Sequence, residues 1–356
     1  MPRPSVYIKV SKSQGEKTIT LATKFGLADK SLVIQREEES LCIPLLREPQ
    51  GIELATLKSQ IPNFKLYTAV FSEKQLPPET LTQALQDKLP PDLLDKIPQA
   101  FDIIGDIVVI DIPPQLKPYQ NTIGEAIMQT QKNVAAVLGK AGDISGVFRV
   151  RDYDFIAGEH KTKTIHKEFG CQYHVDIAKA YFSPRLSHEH ERVAALVQDG
   201  ETVVDLFAGV GPFSVLIGKR NPKGKVYAVD LNPDAVELLT VNIRANKIEN
   251  HVFPFLADAR EIAATKLKGT ADRVIMNLPE TAIDFVDAAC NATKPQGGVV
   301  HFYGFVRSPD TVENLKQHFS ELVEKNGRRV EAFLYAKSIR ETAPFESQVV
   351  LDAKIA

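Results

Sequence analysis

Beyond residue 180 the chain alternates short apolar strands with helical stretches, and no other feature narrows the possible folds so far. Residues 202–207, 225–230, 252–257, 273–276 and 298–303 read as five strands, with helices between them that include 234–246 and 281–292. Strands joined through helices run parallel, and a parallel sheet needs helices on both faces, so the pattern predicts a doubly wound α/β sheet. Apolar runs at 330–336 and 348–352, about a dozen residues apart, predict an antiparallel pair at one edge.

Ligands of such sheets lie across the carboxyl ends of the strands. The first strand runs into Asp205-Leu206-Phe207-Ala208-Gly209-Val210-Gly211-Pro212-Phe213, where two glycines let the backbone come close to a ligand. A dinucleotide fingerprint wants a third small residue three positions after Gly211, and Ser214 satisfies that only loosely. Pro212 brings no N–H, so a pyrophosphate resting on this turn is a poor fit. S-adenosyl-L-methionine, a nucleoside without phosphates, fits better. The second strand ends in Asp230-Leu231-Asn232, where a carboxylate can accept both ribose hydroxyls. The third ends at Asp258-Ala259, placed for an adenine amino group, and the fourth at Asn277-Leu278-Pro279-Glu280, polar groups for the reactive end. Four such strand ends in register predict a class I (Rossmann-like) methyltransferase core.

The first 180 residues follow another plan. Strands are expected at 6–10, 31–34 and 41–45, the last with Pro44 suited to an edge, and a helix at 16–25 closed by Gly26. Prolines at 77, 78, 90, 91 and 98 mark a boundary carrying two short amphipathic helices. A strand-rich run at 101–110, a helix at 123–138 and strands at 146–151, 164–169 and 171–176 follow. The division is two small α+β domains, 1–74 and 75–178, ahead of the methyltransferase domain at 179–356. No apolar run reaches the roughly 18–20 residues of a membrane helix. No apolar signal segment follows the first residues, and Cys42, Cys171 and Cys290 are too far apart for a disulfide framework or a CxxC pair. The chain reads as soluble and cytoplasmic. A net charge of −2 names no polyanionic partner, although residues 1–74 carry 11 Lys+Arg against 8 Asp+Glu.

Tyr181-Phe182-Ser183-Pro184-Arg185-Leu186-Ser187-His188-Glu189-His190, the glycine turn, and Met276-Asn277-Leu278-Pro279 together resemble the archaeal/eukaryotic-type tRNA (guanine-N1)-methyltransferase family. Residues 101–107 and Gly15-Glu16-Lys17 are similar to motifs of the same family. The resemblance implies methylation of the guanosine at tRNA position 37, with S-adenosyl-L-methionine as donor. It implies tRNA as partner, with the N-terminal domain reading the outer corner and the anticodon loop delivering the base. The expected chain is a monomer with no membrane contact. The family's general base matches Glu189, and its oxyanion-stabilising arginine matches Arg149, with Arg151 as a rival. Tyr181, Asn277 and Pro279 fall on positions lining the donor and base pocket, and His190 stands near the cofactor. The remaining cofactor positions are Asp205, Phe207, Ala208, Gly209, Gly211, Pro212, Phe213, Asp230, Leu231, Asn232, Asp258 and Ala259.

The chemistry is consistent with those roles. Guanine N1 holds a proton at neutral pH and becomes nucleophilic once a carboxylate accepts it; the charge then moves to O6, where an arginine acts as an oxyanion-hole donor does. Asn277-Leu278-Pro279-Glu280 departs from the Asn-Pro-Pro-aromatic pattern of enzymes that methylate exocyclic amines, which favours a ring nitrogen. His188 and His190 lack a third metal ligand, so no metal is expected. Arg340 either meets RNA or flanks the final hairpin. Three alternatives share the sequence features: aminocarboxypropyl transfer from the same cofactor, a second methylation of a tricyclic guanosine, and a catalytically silent RNA-binding relative.

Overall fold

The computed structural model describes residues 2–74, 78, 80–142, 146 and 148–356. The chain forms two compact units, Met1–Glu79 and Thr80–Ala356.

The first unit is built on strand β1 (Arg3–Ser11), flanked by β3 (Ser40–Leu45) and β4 (Lys65–Phe71), all antiparallel. The short β2 (Gln35–Arg36) completes the order β2-β3-β1-β4. Alternation along β1 turns Ile8 and Val10 to one face, where they meet Ala22 of helix α1 (Gly15–Lys24) and Leu57 of α2 (Gly51–Gln60). Pro44 pairs with Tyr7 beyond the reach of β2, so its missing N–H breaks no ladder. The strand expected at 31–34 does not form. The Asp29 carboxylate takes both the N–H and the hydroxyl of Ser31, a local turn that competes with pairing and leaves only an isolated Leu32–Glu73 bridge.

The second unit opens with two helices, α3 (Leu81–Leu85) and α4 (Pro91–Leu94). Gln75, Leu76, Pro77 and Glu79, within the expected boundary, lie outside the described residues. A four-stranded sheet of order β5-β6-β7-β8 follows, made of Asp102–Ile104, Ile107–Ile110, Ala136–Lys140 and Tyr153–Gly158, with α5 (Gln120–Thr130) packed on it. The helix expected at 123–138 therefore stops early. The Thr130 hydroxyl bonds back to the Ala126 and Ile127 carbonyls, and the buried run at 136–140 pairs parallel with β6 instead. The strand expected at 146–151 does not form either, and Val147 lies outside the described residues. Gly146 and Arg149 take positive φ angles of 70° and 54°, which no strand accommodates.

Strands β9 (Lys163–Glu168) and β10 (Cys171–Asp176) form the expected hairpin. The outer edge of β10 is met by two side chains, one from helix α8 (Pro233–Ala245) and one from the residue capping it. The Asn242 amide accepts the His174 N–H at 2.6 Å and donates to its carbonyl at 3.2 Å. Asn246 does the same for Gln172 at 3.0 and 2.7 Å.

The seven-stranded sheet has the order β13-β12-β11-β14-β15-β17-β16. Its parallel strands are β11 (Thr202–Asp205), β12 (Lys225–Asp230), β13 (Val252–Leu256), β14 (Arg273–Met276) and β15 (Gly298–Arg307). The expected edge pair is β16 (Val330–Ala343) with β17 (Glu346–Ile355), β17 lying antiparallel between β15 and β16. Helices α6 (Ser187–Leu196), α7 (Pro212–Arg220), α8, α9 (Ala259–Ala264), α10 (Val286–Ala292) and α11 (Val312–Lys325) cover the two faces. The strand order reverses between β11 and β14, which opens a crevice over the strand ends there.

Candidate active site at the strand ends

A cleft of about 410 Å³ occupies that crevice. Its floor is the glycine turn after β11. Gly209, at φ 55°, lines it and donates its N–H to Asp230 Oδ2 at 2.7 Å. Gly211 is at φ 92°, and a Cβ there would stand 2.4 Å from Leu239 Cδ1. It shapes the turn and does not line the cleft. Pro212 is the first residue of α7, where a missing N–H costs no helical bond.

One part of the wall is assembled from three strand ends. Asp230 Oδ1 accepts the Asn232 N–H at 2.9 Å, and burial holds the carboxyl above its ordinary range despite these backbone donors. Asn232 caps α8 and ties back to the Lys179 carbonyl at 2.8 Å. Asp258 caps α9 through the N–H groups of Arg260 and Glu261. Phe207 and Phe285 meet edge to face at 5.1 Å and, with Leu231 and Ala259, give the cleft apolar lining.

Elsewhere on the wall stand Asn277, Pro279, Arg149, Tyr181 and His190. Asn277 Oδ1 is buried with no hydrogen-bond partner among the described residues, an acceptor awaiting a donor. Arg149 holds a two-pronged ion pair with Glu280, one contact at 3.1 Å. Of the two rivals, Arg149 is on the wall and Arg151 is not. His190 is buried, its ring edge-on to Phe213 at 4.6 Å and its Nδ1 2.8 Å from Glu168 Oε1. That carboxyl, flanked by His166 as well, is held down at about 2.

Besides Gly211, two expected site residues, Asp205 and Glu189, are not on the wall. Asp205 is buried beneath the turn, its Oδ2 accepting the Ser214 hydroxyl at 2.7 Å while Oδ1 has no partner among the described residues. Full burial pushes its carboxyl up to about 7. Glu189 accepts from Arg192 Nη2 at 2.9 Å and from the Tyr303 hydroxyl at 2.9 Å. Its chain neighbour His190 is on the wall, as are Tyr181, Phe182, Ser183 and Leu186 of the same motif.

Glu280, among the polar groups expected at the fourth strand end, lines the cleft, as do Phe285, Phe305, Arg340 and Gln348, which were not expected as cofactor or catalytic residues. Arg340 Nε donates to Gln348 Oε1 at 3.0 Å, so this arginine both belongs to the final hairpin and faces the cleft. The Asp230 carboxylate beside apolar and aromatic walls fits S-adenosyl-L-methionine, a nucleoside without phosphates.

Three family models match the chain in order. The tRNA methyltransferase 5 N-terminal domain matches residues 8–53, the TYW2 N-terminal domain 81–162, and the TRM5/TYW2 methyltransferase domain 164–331. A curated relative, the tRNA (guanine(37)-N(1))-methyltransferase Trm5b of Pyrococcus abyssi, is 38% identical over 348 residues, covering 98% of this chain and 98% of that protein. A solved structure of a complex of aTrm5 and tRNALeu has a TM-score of 0.72 at 33% identity, covering 98% of this chain and 99% of that one. The tRNA(Phe) (4-demethylwyosine(37)-C(7)) aminocarboxypropyltransferase of Methanocaldococcus jannaschii is 34% identical, but over 71% of this chain and 97% of its own length. With identity of that level sustained from end to end, the chain belongs to the TRM5/TYW2 family of tRNA methyltransferases.

Proposed function

We propose that this chain transfers the methyl group of S-adenosyl-L-methionine to N1 of the guanosine at position 37 of tRNA. The observation that carries the reading is the polar pattern at the reactive end of the cleft. Asn277 offers an unpaired acceptor and Arg149 a donor, the complement of a guanine edge that donates from N1 and N2 and accepts at O6. When bound, the cofactor supplies an electrophilic methyl group. Asp230, Asp258, Leu231, Asn232 and the Phe207–Phe285 pair would hold its nucleoside end, and Gly209, Pro212, Phe213 and His190 the floor beside it. Asp205 and Gly211 would act from beneath, by setting the turn.

The chain's own part in the reaction is to position and deprotonate the base. Asn277 and Pro279 hold the guanine edge, Tyr181 covers it, Glu189 accepts the N1 proton and Arg149 meets the charge that collects on O6. Proton acceptance and oxyanion stabilisation together are worth ~3–6 kcal/mol of barrier. The base has to leave its stack to enter, at a cost of a few kcal/mol that aromatic contact partly offsets.

Residues 1–74 serve as the part that meets the outer corner of tRNA, 75–178 as a middle α+β domain and 179–356 as the methyltransferase domain. The chain works as a cytoplasmic monomer. The first of these readings is supported by the match of an N-terminal family model to residues 8–53. No helix among the described residues is long and apolar enough to cross a membrane.

Mass spectrometry of nucleosides from unmodified tRNA incubated with the protein and methyl-labelled cofactor tests the proposal. Labelled 1-methylguanosine supports it. An aminocarboxypropyl adduct, or label confined to a tricyclic guanosine, overturns it.

A further inference from the structure

Behind the cleft wall Glu189 belongs to a buried charge cluster whose other members, Arg192, Asp352 and His301, have been given no part in the reaction. Arg192 on α6 donates from Nε to both oxygens of Glu189, at 3.1 and 3.0 Å, and from Nη2 to one of them at 2.9 Å. The same guanidinium reaches Asp352 of β17 through Nη1 at 2.5 Å and Nη2 at 3.2 Å. Two carboxylates thus share one cation. Tyr303 of β15 donates to Glu189, and the Tyr335 ring of β16 lies 4.4 Å from the guanidinium carbon. His301 of β15 stands on the far side of Asp352, Nδ1 to Oδ1 at 2.7 Å. Its Nε2 lies 3.4 Å from Arg273 Nη1 of β14, and Arg273 pairs with Glu201 at 2.6 Å. The other charges beside this stretch of α6 are engaged elsewhere: Glu191 with Arg220, and Glu168 of β9 with His190.

The register explains why the cluster sits where it does. Phe305 opposes Gln348 on the cleft wall, Tyr303 opposes Val350, and His301 opposes Asp352. Each step inward is two residues along an antiparallel pair, roughly 7 Å. The cluster is therefore one to two steps behind the cleft, and Glu189 stands at its near end. Because the two carboxylates outnumber the guanidinium, Glu189, Arg192 and Asp352 carry one surplus negative charge in a dry setting, with Glu189 and Asp352 both buried.

We infer that Asp352 is a positioning residue for the proton acceptor, taking Arg192 over from Glu189 as Glu189 turns to the cleft and accepts the proton of guanine N1. The inference rests on the reading of Glu189 as that acceptor. In the step, the N1–H bond breaks, its electron pair stays on the ring for the incoming methyl group, and its proton passes to a Glu189 oxygen. Arg192 then balances Asp352 alone, so no unpaired charge is left buried. Without Asp352 the guanidinium has nowhere else to go and stays on Glu189.

The test is single-turnover methylation of unmodified tRNA across a pH series by the full chain and its variants. Asp352→Asn should slow the step about 10- to 100-fold, within the range of acid–base contributions, with tRNA and cofactor affinities within about threefold. It should also move the acidic limb of the profile to lower pH, because the surplus negative charge is gone. Tyr303→Phe, which removes a donor from Glu189, should move the limb the other way, and Asp352→Glu should restore much of the rate. A structural defect would lower the rate without opposite displacements. If Glu189→Gln retains turnover, the acceptor reading itself fails. If Glu189→Gln abolishes turnover while Asp352→Asn and Tyr303→Phe leave the limb in place, the acceptor reading stands and the role given to Asp352 is wrong. Tyr303→Phe carries the test alone should the Asp352 variants not fold.

Discussion

The carboxyl of Asp205 makes folding stability depend on pH in a calculable way. It is fully buried beneath the glycine turn, with one hydroxyl donor from Ser214 and a like charge at Asp230, and lies at about 7 instead of 3.8. In the unfolded chain it ionises near 3.8, so between about pH 4 and pH 7 the folded protein holds a proton that the unfolded chain has lost. A raised acid therefore costs stability as pH rises through that window, the reverse of a salt-bridged carboxylate. At 1.36 kcal/mol per unit the loss amounts to ~4 kcal/mol by pH 8, an order-of-magnitude figure. Asp205→Asn keeps the shape and removes the charge. Urea unfolding of both proteins from pH 4 to pH 8.5 should then show the variant gaining on the wild type by ~4 kcal/mol across the window. Any fixed effect of the asparagine amide cancels in that comparison. A stability difference that stays flat with pH would refute the reasoning.

Asn277→Ala should lower kcat/KM for tRNA about 10- to 100-fold, the ~1.5–3 kcal/mol of a well-made polar contact, while calorimetry finds cofactor affinity within a few-fold of wild type. Glu280→Gln releases Arg149 from an ion pair that is half open to solvent; we expect a two- to fivefold faster single turnover, roughly 0.4–1 kcal/mol, and a slower one would mean that the pair orders the cleft. Removing residues 1–79, the first compact unit, should leave cofactor binding intact and weaken tRNA use at least tenfold, with a shallower salt dependence if that unit neutralises phosphates.

The parallel sheet was legible because strand and helix periods alternate cleanly there, and the lining of the cleft by Asp230, Asp258 and Asn277 follows from where those strands end. Residues 123–138 misled because Ala135 and Ala136 continue a helical spacing, whereas the paired neighbour β6 exists only in three dimensions. The 146–151 stretch has strand composition, yet positive φ at Gly146 and Arg149 serves a turn that brings an arginine to the cleft. Phe305 and Gln348, and the place of Arg340 on the cleft wall, escaped notice for a related reason. All three residues reach the site through antiparallel register between strands remote from the cofactor motifs, and no local pattern announces that. Glu189 shows the opposite limit: a motif names the residue, but only the fold reveals that Arg192 and Tyr303 hold it.

The two asparagines at the end of α8 give the hairpin an uncommon finish. Spaced four apart on the helix and two apart on the strand they meet, Asn242 and Asn246 stand in for the backbone of a missing third strand. An open strand edge is a template for joining another molecule, and here that template is already read by side-chain amides. The protection comes from the same helix whose first turn sits beside the cleft. Damage to the helix would therefore bare a sticky edge as well as disturb the catalytic pocket, so a lesion there would present as aggregation and lost activity together.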